Sequence, residues 1–318
     1  MKKVMLSLVA ALAVSAAVPA FAADMPVKAV KAPAAAPSPW DLAFGAAVMN
    51  DYIFRGVTQS NHKVSGAAYI EPRYNVNPNL QLYVGTSFET IKFPNDAKVE
   101  LDLYGGVRPT FGPIALDLGA WYYGYPGGTC YADGILCPQV LANGNFVKAN
   151  LSFWEFYFKP TWNVNDSLAI GGNFFYSPSF LNSGAPGTYV SATVKYTAPA
   201  SMAIAKDIGW YVSGEFGRQY LGTSDAFYGV PAFPNGIDYA DYNTWNIGVG
   251  FTWKQATLDL RYSDTDLSQA NCNAFTGDNT ATANGSFSPI NPSGVGSKWC
   301  GAAFVAKLSL DFTASALK

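Results

Sequence analysis

The stretch KVELDLYGGVRP, Lys98–Pro109, places Val99, Leu101, Leu103 and Val107 on every second position, with Glu100, Asp102, Tyr104 and Arg108 between them. Successive side chains of a β-strand point to opposite faces, so this segment reads as a strand with one oily and one polar side. In a soluble protein the oily side would face a core. In a barrel that crosses a membrane it would face lipid and the polar side would face the interior. The rest of the chain decides between the two.

The chain has 318 residues, of which 49% are hydrophobic, 15% aromatic and only 13% charged, with 30 glycines and a formal net charge of -2. Charged residues make up roughly a quarter of an ordinary globular protein, so the composition is poor in charge for a soluble domain. Met1-Lys2-Lys3, the apolar run Val4 to Val18 and the small-residue site Ala20-Phe21-Ala22 read as an export signal occupying residues 1–22 and cleaved after Ala22. Residues 23–39, rich in Ala and Pro, read as a flexible periplasmic leader. The folded domain is expected over residues 40–318. Beyond the signal there is no run of about 18 apolar residues free of charge, the length a spanning helix needs.

Period-two alternation instead recurs in segments about ten residues long, the span of a tilted membrane strand. Leu42, Phe44, Ala46 and Val48 share one face. Ala68, Ile70, Pro72, Tyr74 and Val76 do the same, as do Leu80, Leu82, Val84 and Phe88, and the pattern continues to Phe304, Ala306, Leu308, Leu310 and Phe312. About twelve strands result, and an even number is what bacterial outer-membrane barrels require. Brief turns (75–79, 109–113, 163–167, 197–207, 254–256) alternate with longer connections (56–65, 91–97, 124–150, 178–187, 221–240, 264–298). Short periplasmic turns on one rim and long extracellular loops on the other are the pattern of an outer-membrane barrel. The expected fold is therefore all-β, a transmembrane antiparallel β-barrel. Trp40, Tyr74, Tyr122, Trp162, Tyr196, Trp210, Trp253 and Tyr262 lie near strand ends, where interfacial aromatic girdles sit.

Asn50–Ser60, NDYIFRGVTQS, resembles the opening motif of the TorF family of proteobacterial porins, whose core is Asp-Tyr-x-x-Arg-Gly-x-Ser/Thr-Gln and whose positions here are Asp51, Tyr52, Arg55, Gly56 and Gln59. VELDLYGGVRPTFG running into LDLGAWYYGYPGG, and the Asp259–Asp266 segment, are similar to further blocks of that family. The resemblance implies an outer-membrane barrel with a channel role. A departure is the end of the chain, where Phe312 is followed by Thr313–Lys318 instead of closing the sequence.

In such a barrel the inward face carries Glu71, Arg73, Glu89, Glu100, Asp102, Arg108, Asp117, Glu155, Lys159, Lys195, Glu215, Asp259, Arg261, Lys307 and Asp311. These are the expected pore-lining residues, and their acid surplus would mildly favour cations. The rival reading is a lumen filled by its own paired ions. At the motif, Arg55 and Asp51 could meet as a ligand site, but Arg55 bracing a loop, with Gly56 making a tight turn, is preferred.

Cys130 with Cys137 and Cys272 with Cys300 read as two loop-closing disulfides of an exported protein. Zinc is disfavoured because His62 is the sole histidine and no CxxC spacing exists, so no metal site or cofactor is expected. His62 is likewise the only candidate base for an outer-membrane lipid-modifying enzyme such as a lipase or acyltransferase, the least favoured reading, and no catalytic residues are assigned. The sequence therefore points to a passive outer-membrane channel for small hydrophilic solutes. Lipid and lipopolysaccharide would surround it, the barrel-assembly machinery would insert it, and nucleic acid is not a partner. Its alternative is a closed barrel whose pinned outer loops recognise or adhere to other surfaces.

Overall fold

Alternation of this kind builds a wall with two different faces, and in the computed structural model, which describes residues 39–317, that wall closes on itself. The expected signal, and all of the expected leader but Pro39, lie outside the described residues. In chain order the strands are β1 (Trp40–Met49), the two-residue strands β2 (Ile53–Phe54) and β3 (Val57–Thr58), β4 (Ser65–Asn77), β5 (Leu80–Thr90), β6 (Val99–Phe111), β7 (Ile114–Gly124) and β8 (Phe153–Asn163). They continue with β9 (Leu168–Ser177), β10 (Gly187–Thr197), β11 (Ile208–Leu221), β12 (Tyr242–Trp253), β13 (Ala256–Thr265), the short β14 (Thr282–Ala283) and β15 (Val295–Gly296), and β16 (Ala303–Thr313).

Twelve of these form one closed antiparallel barrel in which each strand pairs with its neighbour along the chain, and β1 seals it against β16. At the seam Phe44 stands opposite Phe312 with the rings stacked, centroids 5.4 Å apart, so the terminal strand does its closing work despite the residues that follow it.

The expected parity holds around the wall. Val84, Phe88, Leu101, Leu103, Phe156, Val194, Phe216, Ile247 and Leu308 are exposed on the outside, whereas Tyr83, Ser87, Glu100, Tyr104, Tyr157 and Tyr211 are buried inside. Aromatic residues mark both ends of the outer face. Trp40 packs on Tyr74 at 4.8 Å and Tyr196 on Trp210 at 6.1 Å near the short-turn rim; Tyr122 packs on Trp154 at 4.8 Å and Tyr262 on Phe304 at 5.1 Å near the other.

Two departures concern the connections. Segment 198–207, on the short-turn rim, is longer than segment 91–98 on the opposite rim, so length alone does not sort them. The first long connection begins at residue 50, earlier than its expected start at 56, because Ile53–Thr58 is not wall but a separate hairpin turned into the barrel. One α-helix, Gln269–Thr276, interrupts the last long loop; Ser268 caps its start by accepting from the Asn271 N–H, and Gly277 ends it at φ 61°. Both cysteine pairs are disulfides as expected, and both lie in the long loops.

Inside, tyrosines lie across the wall from glycines: Tyr69 opposite Gly45, Tyr83 opposite Gly106, Tyr104 opposite Gly85, Tyr157 opposite Gly119 and Tyr211 opposite Gly250. At each of these glycines an added Cβ would run into the partner tyrosine. The missing side chain lets the phenol lie against the sheet, so a large residue takes little of the lumen. A Gly85→Val protein is expected to lose roughly 1–3 kcal/mol of stability through overpacking against Tyr104, read as a lower urea midpoint in detergent or lipid.

Candidate functional site

Turning a chain inward needs a reversal within two residues, and the motif supplies it. Arg55 and Gly56 form the tip between β2 and β3 with φ of 48° and 79°. Positive φ at both central positions is the turn whose twist suits a two-residue hairpin. Glycine adopts it freely, and a residue added at Gly56 would also strike Thr244 and Thr265 on the wall. Arginine adopts it at a cost of roughly 1–2 kcal/mol, so Arg55 needs a compensating contact.

That contact lies on the wall across the lumen. Arg55 donates from Nη1 to Glu155 Oε1 at 2.8 Å and from Nη2 to Glu155 Oε2 at 2.7 Å, a two-pronged pair, and Nη1 also donates to Gln219 Oε1 at 3.1 Å. The guanidinium sits 4.6 Å from the ring centre of Phe54, 4.8 Å from Phe175 and 4.6 Å from Tyr189, and all of Arg55, Glu155 and Gln219 are buried. Tyr123 and Tyr242 add hydroxyls, the first donating to Glu155 Oε2 at 3.2 Å and the second to the Arg55 carbonyl at 3.2 Å. The hairpin is thus a bar across the outer half of the barrel, held on β7, β8, β11 and β12.

Its base is tied by the remaining motif residues. Asp51 does not meet Arg55. It accepts from Thr58 at 2.5 Å and Ser60 at 2.9 Å on one oxygen, and faces His62 Nδ1 at 2.7 Å with the other. Tyr52 donates its hydroxyl to Glu100 on β6 at 2.8 Å. The Gln59 side chain donates to the Val57 carbonyl at 2.9 Å, and the Thr58 N–H reaches the Trp299 carbonyl at 2.9 Å, next to the Cys272–Cys300 bridge. The brace reading of Arg55 is therefore correct in kind, with Glu155 as partner. No pattern of near neighbours could have named that partner, which lies a hundred residues away.

Every charged residue expected on the inner face is on that parity, but the residues fall into three environments. In the half nearer the short-turn rim, Glu71 holds Arg73 at 2.6 Å and Arg108 at 2.7 Å, Asp117 holds Arg108 at 3.3 Å and Lys159 at 3.5 Å, and Asp259 holds Arg261 at 3.0 Å. The side chains of Arg73, Arg108, Lys159 and Arg261 keep part of their surface exposed, so this half is wet. Glu215 accepts from Tyr189 and Asn173, Asp311 from Tyr69, and Lys195 lies over the Tyr211 ring. Lys307 stands opposite Asp259 in the β13–β16 register and is half-buried. Glu155 belongs to the bar. Glu89, Glu100 and Asp102 form a third environment, buried at the outer end of β5 and β6.

His62 offers the enzyme reading little. Its Nε2 faces the Lys298 carbonyl at 3.3 Å, the position a nucleophilic hydroxyl would have to occupy. Facing a carboxylate and a carbonyl, the ring can use both nitrogens as donors when protonated. The hydrogen bond that the ring donates to Asp51 leads in raising the imidazole pKa above its ordinary value, against a smaller opposing effect of burial.

A family model described as "Bacterial protein of unknown function (Gcw_chp)" matches residues 33–135, which include the motif hairpin and the wall through β7. No curated protein matches the chain. Among solved structures, an outer membrane channel from Pseudomonas putida F1 is 10% identical, covering 90% of this chain and 100% of its own at a TM-score of 0.45. The KdgM porin is 8% identical, with 86% and 99% covered and a TM-score of 0.41. The NanC porin is 8% identical, with 85% and 98% covered and a TM-score of 0.39.

Two outcomes follow from the bar and its base. Arg55→Ala or Glu155→Ala alone should cost roughly 3–5 kcal/mol, since each leaves a buried charge unpaired, while Arg55→Met with Glu155→Leu should recover most of it; a double-mutant cycle from urea titrations measures both. His62, the sole histidine, should titrate by NMR above about 6.5. Because the folded ring holds its proton more tightly than the unfolded one, its contribution to stability is full below about pH 6.5 and lost as pH rises through the folded pKa. A titration midpoint at or below 6.5 would contradict this.

Proposed function

We propose that the chain is an exported protein of the bacterial outer membrane, with residues 1–22 removed, that works as a narrow channel for small hydrophilic solutes. The observation that carries this reading is the pairing of an apolar outer belt, edged by aromatics at both rims, with a polar, partly wet inner face. Apolar side chains uncovered around a whole circumference call for a hydrocarbon solvent, and a closed barrel leaves no strand edge bare in it. Lipid and lipopolysaccharide would be its surroundings, with the barrel-assembly machinery as its route in. The TorF resemblance is kept as part of this reading, carried by Asp51, Tyr52, Arg55, Gly56 and Gln59.

The bar formed by residues 53–58 narrows the outer half, so passage runs beside or past it. Solute size would be limited there, not at the inner vestibule. The inner charges are largely matched: Glu71, Asp117 and Asp259 each hold a cationic side chain. A cation preference would therefore rest on the buried acids Glu89, Glu100 and Asp102 at the outer end. No catalytic role is assigned to His62, whose second ring nitrogen faces a carbonyl.

The second reading, recognition by the outer loops, draws on Ile135, exposed at 89%, and Leu136 within the short Cys130–Cys137 ring. Apolar side chains displayed on a pinned loop suit contact with another surface.

Planar-bilayer recording separates the two. The channel reading expects small single-channel currents from the intact chain and a several-fold larger conductance from Arg55→Ala, in which the bar loses its anchor. Silence from both proteins, with each shown folded by heat-dependent gel mobility, would sink the channel and leave the loop surface as the working part.

A further inference from the structure

At the outer end of the wall the register sets Glu89 opposite Glu100 and Ser87 opposite Asp102. Residues two apart on a strand share a face, so three carboxylates converge on the inner side. One oxygen from each lies within 4.8 Å of the others. All three side chains are buried, and Glu89 is 0% exposed.

Three other buried carboxylates of the wall are matched by cations: Glu155 by Arg55, Glu71 by Arg73 and Arg108, and Asp259 by Arg261. Here, among the described residues, no lysine or arginine pairs with the three; Tyr52 donates to Glu100 at 2.8 Å and Ser87 to Asp102 at 3.1 Å. No donor side chain reaches either oxygen of Glu89 or Asp102 Oδ1, and Glu89 is set against the Glu100 carboxylate, close enough that a shared proton or a shared cation would join the two. The indole N–H of Trp121 is also unpartnered beside Asp102; turned onto it, that donor would satisfy one oxygen and leave Glu89 bare. An isolated buried carboxylate is costly, and three together repel one another as well.

We propose that Glu89, Glu100 and Asp102 bind one divalent cation of the calcium class. The donors are all carboxylate oxygens, which suits a hard cation and not zinc or copper. Oxygens that share one Ca2+ at 2.3–2.6 Å can stand up to roughly 5 Å apart, as these do. The two bare oxygens of Glu89 then have their partner. Through the Tyr52–Glu100 hydrogen bond the ion also ties β5 and β6 to the root of the motif hairpin. Binding does not depend on whether the barrel conducts.

The test uses the full mature protein, folded in detergent and stripped with EDTA. Terbium, a Ca2+ substitute excited through nearby Trp121 and Tyr52, should give sensitised emission that saturates at one ion per chain, and Ca2+ should displace it. Ca2+ should also raise the thermal midpoint of the stripped protein. Glu89→Gln combined with Asp102→Asn should weaken Tb3+ and Ca2+ binding at least tenfold. Because the change removes like charges, the stripped variant should melt no lower than the stripped parent, which also shows that it folds. Absence of a saturating single site in the parent overturns the proposal, whatever the variant does. So does equal binding by parent and folded variant, which would place the ions on surface carboxylates. A parent indifferent to Ca2+ but stabilised as the pH falls would mean that protons, not a metal, neutralise the cluster.

Discussion

A sheet whose outer face is apolar between its two rims has no tolerable edge, and closure of β1 on β16 is the constraint from which the rest of this molecule follows. Each wall strand then has a hydrogen-bonded neighbour on both sides. Once the ring is closed, parity becomes destiny for each side chain: one residue out of step would carry a charge outward and a leucine in. The connections of the rim that carries the longest loops can only lie above the ring or enter it. The first of them enters.

What enters must bring its own electrostatic solution. Arg55 is a cation placed where water is scarce, on a backbone conformation that costs an L-residue energy. Both debts are met by Glu155, with aromatic rings against the guanidinium and Gln219 at its side. The pair fixes the hairpin in one position, since either charge alone would be stranded. Glu71, Asp117 and Asp259, nearer the short-turn rim, are handled differently, each meeting lysine or arginine close by on the same wall with water in reach. The tyrosine and glycine pairs between them thin the lining where a wide aromatic residue would otherwise obstruct it. Polar contents are therefore sorted along the barrel: solvated ion pairs at one end, a dry ion pair in the bar, and an acidic group without a cationic side chain at the other.

Much of the wall was legible because its determinants are local. A strand's two faces are written two residues apart, so Val99, Leu101 and Leu103 could be assigned outward and Glu100 and Asp102 inward without knowing any partner. Strand number and the cysteine pairs could be read in the same way. The site was legible only in its parts. Asp51, Tyr52, Arg55, Gly56 and Gln59 stood out as a motif, but as a loop at the end of the first strand. The short run Ile53–Thr58 has too few residues to show a period distinct from the wall, and the pairing of Arg55 with Glu155 leaves no trace in either neighbourhood. The acidic cluster was hidden similarly, because Glu89 and Glu100 are joined by register across a loop, and a search for histidine and cysteine spacing passes over carboxylates.

By itself, then, the sequence determined that an alternating, charge-poor chain makes strands of one hand, that an even set of them closes, and which face of each is polar. These are consequences of backbone geometry and solvent preference, which act residue by residue. Only the tertiary structure decided that the motif turns inward, that Arg55 crosses the lumen to Glu155, and that Glu89, Glu100 and Asp102 are buried together while Glu71 and Asp259 stay within reach of water. Those outcomes depend on distances between residues far apart in the chain, and on how much water each location retains, neither of which exists until the barrel has closed.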